Sequence, residues 1–450
     1  MGRASSWCCS RSWPRGARSL PRRRPCARQH RLPVPRPCPR GGQEQSGGSL
    51  ADRLKAVQSG QADKATSAKL PAWKPFRPGA VAPTIPLVKG VVAVAAVSQP
   101  PLGDYEAITT ISDVSSSEVL LKYSADIPPP KKDTGLLAAA QEKNPDQSQE
   151  SRKVSSSRVV DVIDLQHAHA AAQYTEDGKA EHFPGTTPGG ASTEVLSQLH
   201  AGRQVEFHFA ADPLSGWMQF GAQVLGQKNE GPTITQYAGL PMFACDLHQV
   251  EPTALGVPVL LNDERVELPA VHAMCSLGGG EEAHFYFLDQ PSNPLSLAFQ
   301  LGPDSTRAQV IKITLPPPQT EQKTSAEPSP MELALAEKKP VEVYSLYFDF
   351  NKATIKPESE AVLQQIAGIL RKYPDWTLNV SGHTDNIGGD ASNLSLSQRR
   401  AAAVKDALVS RYAIAPGRLV THGYGASVPI ETNATLEGRA RNRRVELQRQ

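Results

Sequence analysis

Apolar and polar residues alternate in short bursts through the middle of the chain. Glu118–Tyr123, Arg158–Ile163, Gln204–Phe209, Glu264–Leu268, Ala283–Leu288, Leu297–Leu301 and Gln309–Leu315 read as strands. Several show the period of two that suits half-buried antiparallel pairs. Val257–Leu261 belongs to the same set, but Pro258 lacks a backbone N–H and confines that stretch to an edge. Turn clusters such as Pro291-Ser-Asn-Pro294 separate the bursts, and Thr193–Leu199 is predicted as a helix capped by Ser192 or Thr193. Pro128–Lys153 reads as an exposed insertion.

After a Pro-, Ser- and Glu-rich stretch the period changes. Val341–Phe350 alternates like a strand. Val362, Leu363, Ile366, Ile369, Leu370 and Tyr373 then recur at helical spacing, from Pro357 at the first-turn position to the stop at Pro374. Thr377–Ser381 is a strand, and His383–Asp390 is a Gly-containing loop. A long helix carrying Leu394, Leu396, Val404, Leu408 and Tyr412 comes next, and Arg418–His422 and Arg444–Leu447 supply two more strands. The expected class is α+β: a β-rich domain at 85–315, a linker at 316–334, and an α/β sandwich in the order β-α-β-α-β-β at 335–450. Residues 1–84 are expected to be a disordered, basic, Pro-rich leader and linker.

Composition narrows the class. The longest apolar run, Gly90–Val97, falls far short of the ~20 residues of a membrane-spanning helix. The middle region shows fewer long alternating strands than a transmembrane barrel needs, and reads as a soluble β-rich domain. The first forty residues hold eleven Arg and no acidic residue. Taking their charge from the net +3 leaves the remainder at −8, so the basicity lies in the leader. That leader has no apolar core after its arginines and is not a recognisable secretory signal. Four of the six cysteines fall in it. Cys245 and Cys275 can pair in an oxidising compartment or remain buried thiols.

The one specific constellation lies near the C-terminus. It runs Gly382-His-Thr-Asp385-Asn, Asn393-Leu-Ser-Leu-Ser-Gln-Arg-Arg400-Ala, Gly423-Tyr-Gly425, then Glu437-Gly-Arg-Ala-Arg-Asn442-Arg-Arg-Val-Glu446. With Phe348-Asp-Phe-Asn351 ahead of it, this string closely resembles the OmpA-like C-terminal domain, also found in Pal lipoproteins and MotB stators. The resemblance covers about 110 residues. It implies non-covalent binding of peptidoglycan through meso-diaminopimelate of the stem peptide, with Asp385 and Arg400 at the two ligand-gripping positions. Asn393 and Arg443 resemble further ligand-side positions. The chemistry agrees: the free end of diaminopimelate is a zwitterion, and a carboxylate suits its ammonium as a guanidinium suits its carboxylate. On a plain structural reading, Asp385 caps a turn and pairs with Arg400, while Arg439, Arg441, Arg443 and Arg444 form a solvated basic edge.

Other candidates are weaker. His167 and His169 could share a metal, but no matching Cys or Asp pair lies at ligand spacing. Pro184–Gly190 lacks the Gly-Lys-Ser/Thr end of a phosphate-binding loop. No catalytic motif is found, and no metal or cofactor is expected. No apolar stretch precedes Cys8, Cys9, Cys26 or Cys38 as a lipoprotein signal would require. The expectation is a non-enzymatic protein of the outer membrane or periplasm of a Gram-negative bacterium, linking envelope partners to the wall. The alternative is a wall-tethered hydrolase with its active site in the middle domain.

Overall fold

The computed structural model describes residues 70–77, 79, 81–99, 103–128, 151–172, 180–210, 233–237, 240–278, 280–291, 293, 295–302, 306–316 and 328–450. The Arg-rich leader with its four cysteines, and most of the Pro128–Lys153 insertion, lie outside them.

Fourteen strands form the larger sheet: β1 (Val92–Gln99), β2 (Gly103–Val114), β3 (Glu118–Ile127), β4 (Arg152–Asp161), β5 (Ala170–Ala171), β6 (Ala180–His182), β7 (Val205–Phe209), β8 (Thr233–Tyr237), β9 (Leu240–Gln249), β10 (Leu255–Leu261), β11 (Glu264–Gly278), β12 (Glu281–Leu288), β13 (Ser296–Leu301) and β14 (Arg307–Thr314). Their order is β5-β7-β9-β11-β12-β13-β14-β1-β2-β3-β4-β6, with β8 on β9 and β10 between β11 and β14. Two helices accompany them, α1 (Val162–His167) and α2 (Thr193–His200). Ser192 caps α2 by accepting from the Val195 amide.

Long strands are more numerous than alternation alone revealed; β2, β3, β4, β9 and β11 each reach ten residues or more. β1 takes up the Gly90–Val97 apolar run from Val92 onward. It does not alternate because both of its faces are buried: Ala93 and Ala95 pack with Ile85 and Val310, and Val92, Val94 and Ala96 pack on the opposite side with Tyr347 and Leu436. β10 is not a simple edge. It pairs with β11 along its length and with β14 at Leu260 and Leu261. Pro258 sits before the β14 contact begins, where no N–H is needed. Cys245 on β9 and Cys275 on β11 form a disulfide with Cα atoms 5.8 Å apart.

The C-terminal part comprises α3 (Pro330–Ala336), β15 (Val341–Val343), α4 (Glu360–Lys372), β16 (Leu378–His383), α5 (Asp390–Tyr412), β17 (Leu419–Gly425), α6 (Leu436–Asn442) and β18 (Val445–Arg449). Its sheet runs β15-β18-β16-β17, with β16 and β17 parallel and the other pairs antiparallel. α4 carries the predicted apolar face, with Val362, Leu363, Ile366, Ile369 and Leu370 buried, and α5 adds Val404, Leu408 and Tyr412. Leu394 is half exposed instead of buried.

Three elements of the C-terminal part depart from the sequence reading. The strand expected over Val341–Phe350 ends at Val343, because side chains take the next amides: Tyr344 N donates to Asp263 and Tyr347 N to Ser359 Oγ. α3 occupies the end of the stretch read as linker. Ser329 caps it and its Leu335 is fully buried. α6, carrying the Arg-rich motif, was not expected as a helix.

All described residues fall within one compact unit, Gly47–Gln450. Each sheet has its own apolar core, and the two share one further cluster in which Val94, Ala96, Ile108 and Ile311 meet Tyr347, Leu436 and Ala440. Polar groups surround that cluster. Lys153 reaches Asp349 (2.7 Å), Lys356 reaches Asp126 (3.1 Å), and the Phe350 amide donates to Asp126 (3.2 Å).

Candidate functional site

The site begins where β16 ends. Glycine at 382 and at 423 lets the backbone of α5 lie directly on β16 and β17. A Cβ on Gly382 would stand 2.2 Å from the Ser397 carbonyl, and one on Gly423 2.5 Å from the Gln398 nitrogen. Residues just past β16 therefore sit beside the first turns of α5, at the carboxyl end of a parallel strand pair, where α/β sheets place ligands.

Asp385 is buried there. Its Oδ1 accepts from the Ile387 amide at 2.9 Å, which closes a turn. Asn393, also buried, donates through Nδ2 to the carbonyls of Asp385 (3.3 Å) and Ile387 (3.1 Å), so the first turn of α5 holds the loop by its backbone. Asp385 Oδ2 receives Arg443 Nη1 at 2.6 Å. Arg443 stands just past α6, where Asn442 pins the preceding loop by accepting from the amides of Ile430 and Glu431.

Arg400 is half-buried on α5. Its guanidinium lies 4.9 Å from the centre of the Phe348 ring, and its Nε donates to the Lys352 carbonyl at 3.1 Å. The Asp385–Arg400 salt bridge of the plain structural reading is not formed; Asp385 pairs with Arg443. Nor are the four arginines near the end of the chain a solvated edge. Arg439 and Arg444 are buried, Arg441 pairs with Glu431, and Arg443 is half-buried. α6 packs Leu436 and Ala440 on the shared cluster, which turns Arg439 inward, and Arg443 and Arg444 follow in the short link to β18.

The opposite wall comes from the larger sheet. β2 alternates, so Asp104 and Glu106 share the face that carries Ile108 into the shared cluster. Glu106 Oε1 receives Arg443 Nε at 3.1 Å and Nη2 at 2.6 Å, and Lys312 of β14 lies 3.8 Å away. Asp104 receives Arg439 Nη2 at 2.6 Å. Between the walls is a cleft of about 320 Å³ lined by Glu106, Lys312, Asp385, Asn393, Arg400 and Arg443, among others.

Burial and charge oppose each other at these groups. Burial pushes the Glu106 carboxyl up, but Lys312 and then Arg443 outweigh it and hold the group down at about 2. Burial lowers Arg400 to about 10. Burial also works against the charge on Arg443, yet Glu106 and Asp385 together raise its pKa. Burial lowers Lys312 despite Glu106 beside it.

Asp104 and Glu106 were missed in the sequence because β2 itself was missed, and Lys312, on a strand that was read, had no partner there to mark it. The available signal was Gly103-Asp-Tyr-Glu-Ala-Ile108, with its acidic residues at alternate positions. His167 and His169 both turn to Glu194, at 3.0 and 3.6 Å. Among the described residues, no group of three His, Cys, Asp or Glu side chains is placed to hold a metal. No described helix is long and apolar enough to cross a membrane.

Comparison with known proteins places the C-terminal part. Residues 347–443 match the OmpA family, so the chain carries an OmpA-family domain over that segment. Outer membrane porin F of Pseudomonas aeruginosa is 48% identical over 101 residues, which are 22% of this chain and 29% of that protein. Peptidoglycan-binding protein ArfA of Mycobacterium bovis is 41% identical over 100 residues, 22% of this chain and 30% of that protein. The chain thus spans less than a third of the length of either. The solved peptidoglycan-associated lipoprotein of Burkholderia pseudomallei is 32% identical, with 23% of this chain and 88% of that one covered and a TM-score of 0.22.

Proposed function

We propose that this is a cell-envelope protein of a Gram-negative bacterium that binds peptidoglycan non-covalently, at the outer-membrane or periplasmic side, through diaminopimelate of the stem peptide. The observation that carries this reading is that Asp385 and Arg400 line one cleft at the carboxyl end of β16, inside a segment that matches the OmpA family. In this reading the Asp385 carboxylate takes the ligand ammonium and the Arg400 guanidinium takes its carboxylate in a bidentate pair. Asn393 and Arg443 are positioning residues. Asn393 fixes the loop backbone, and Arg443 orients the Asp385 carboxylate. The names of the porin, the lipoprotein and ArfA support an envelope role. The larger sheet would then serve a second envelope partner.

The test is sedimentation of the full chain with purified sacculi. Diaminopimelate-type sacculi should retain it, and lysine-type sacculi, which lack the second carboxylate, should retain it less. Muropeptides released into the supernatant would instead favour a hydrolase. Equal retention on the two wall types would remove the diaminopimelate assignment.

A further inference from the structure

The side chains of the candidate site are buried or half-buried. A strand of the same chain lies across them, and the groups it presents have the chemistry of the proposed ligand. Glu106 offers Arg443 a carboxylate, held by Nε and Nη2 together, while Arg443 Nη1 holds Asp385. Asp104, two residues earlier on the same face of β2, accepts one hydrogen bond from Arg439 Nη2 at 2.6 Å.

We infer that β2 closes the peptidoglycan site: Glu106 through Arg443 and Asp104 through Arg439 hold the larger sheet across the cleft, and the wall ligand binds only when the C-terminal sheet has parted from β2 along this edge. The inference rests on the reading of the cleft given above. Three observations favour a reversible contact. The first is the second partner of Arg443. Its Nη1 keeps Asp385 when Glu106 leaves, so parting never strands a buried unpaired charge on it. The second is the make-up of the interface. Around the apolar cluster it is stitched by ion pairs and single hydrogen bonds, Lys153–Asp349, Lys356–Asp126 and Tyr344 N to Asp263 among them. Contacts of this polar kind within a chain permit relative motion. The third is Arg400, whose only hydrogen bond among the described residues is from Nε to the Lys352 carbonyl. That partner lies in the C-terminal part itself, so parting from β2 costs Arg400 no hydrogen bond.

A closed form reduces apparent affinity by the fraction of molecules that are open. For an open form populated at about 10% or below, removing the closing ion pairs tightens binding by about tenfold or more. The experiment compares the full wild-type chain with the isosteric double variant Asp104→Asn, Glu106→Gln in sedimentation against diaminopimelate-type sacculi. A second readout uses the wild type alone. The amides of Tyr344 and Phe350, which donate across the interface, should exchange hydrogen faster when soluble diaminopimelate muropeptides are added. Tighter retention of the double variant by about tenfold or more, with faster exchange at those two amides, supports the inference. Equal retention with unchanged exchange overturns it and leaves the peptidoglycan reading standing. Loss of retention in the double variant also overturns it, because Glu106 would then be part of the grip. If neither chain sediments at any sacculus concentration, the peptidoglycan reading fails and the inference with it.

Discussion

Asp385 answers three demands at once: it closes a turn, it takes Arg443, and in the proposed function it receives the ligand. Asn393 separates the first of these from the others, since it holds the loop through carbonyls and leaves the carboxylate alone. Asn393→Ala removes two hydrogen bonds at a buried position, so a loss of about 1–3 kcal/mol is expected, with weaker sacculus binding alongside. A thermal melt read beside sedimentation checks both. Glu106 makes a prediction about pH. Its folded pKa is about 2, depressed from the ordinary 4.5. Its stabilising contribution is therefore complete above pH 4.5 and is lost as the pH falls from there through about 2. The charged groups that face it are Lys312, Arg443 and Arg400. The stability gap between wild type and Glu106→Gln should narrow over that interval. A gap that stays constant from pH 6 to 2 would contradict the ion pairing.

At the scale of elements, legibility followed whether one face of each element meets solvent. α4 could be read because its outer face is polar and Pro357 and Pro374 bracket it. β1 could not, because both of its faces are apolar. Val341–Phe350 misled because alternation records which way side chains point, not which groups receive the amides. Asp385, Arg400, Asn393 and Arg443 were singled out by motif order alone; the structure brings all four to one cleft, and the first, third and fourth form one bonded chain. The acidic part of the cleft's other wall was not legible, because Asp104 and Glu106 come from a strand more than 270 positions before Asp385. The close approach of α5 to β16 makes Gly382→Ala costly. With the Ser397 carbonyl 2.2 Å from the new Cβ, overpacking of about 1–3 kcal/mol or more is expected, read as a lower melting temperature. The Cys245–Cys275 bridge spans 30 positions, so reduction should destabilise the larger sheet by about 2–4 kcal/mol.

On the scale of the whole molecule, two sheets with separate cores meet through a small apolar cluster ringed by charge. A fragment covering 328–450 should unfold cooperatively by itself, because it keeps its core and the α3 contacts Leu335, Glu332–Lys372 and Glu332–Tyr373. A fragment beginning at Pro340 loses Leu335, and truncating a buried leucine costs about 2–5 kcal/mol. A broad, non-cooperative melt of 328–450 would show that the C-terminal sheet depends on the larger one. The central claim is that Asp385 and Arg400 grip the stem peptide. It is tested most directly by sedimenting the full chain and its Asp385→Asn, Arg400→Ala double variant with diaminopimelate-type sacculi, next to a thermal melt of each. Losing partners of a charge-assisted pair costs about 2–5 kcal/mol, so the variant should bind about 30-fold or more weakly while melting cooperatively. A well-folded double variant retained as strongly as the wild type would contradict the assignment.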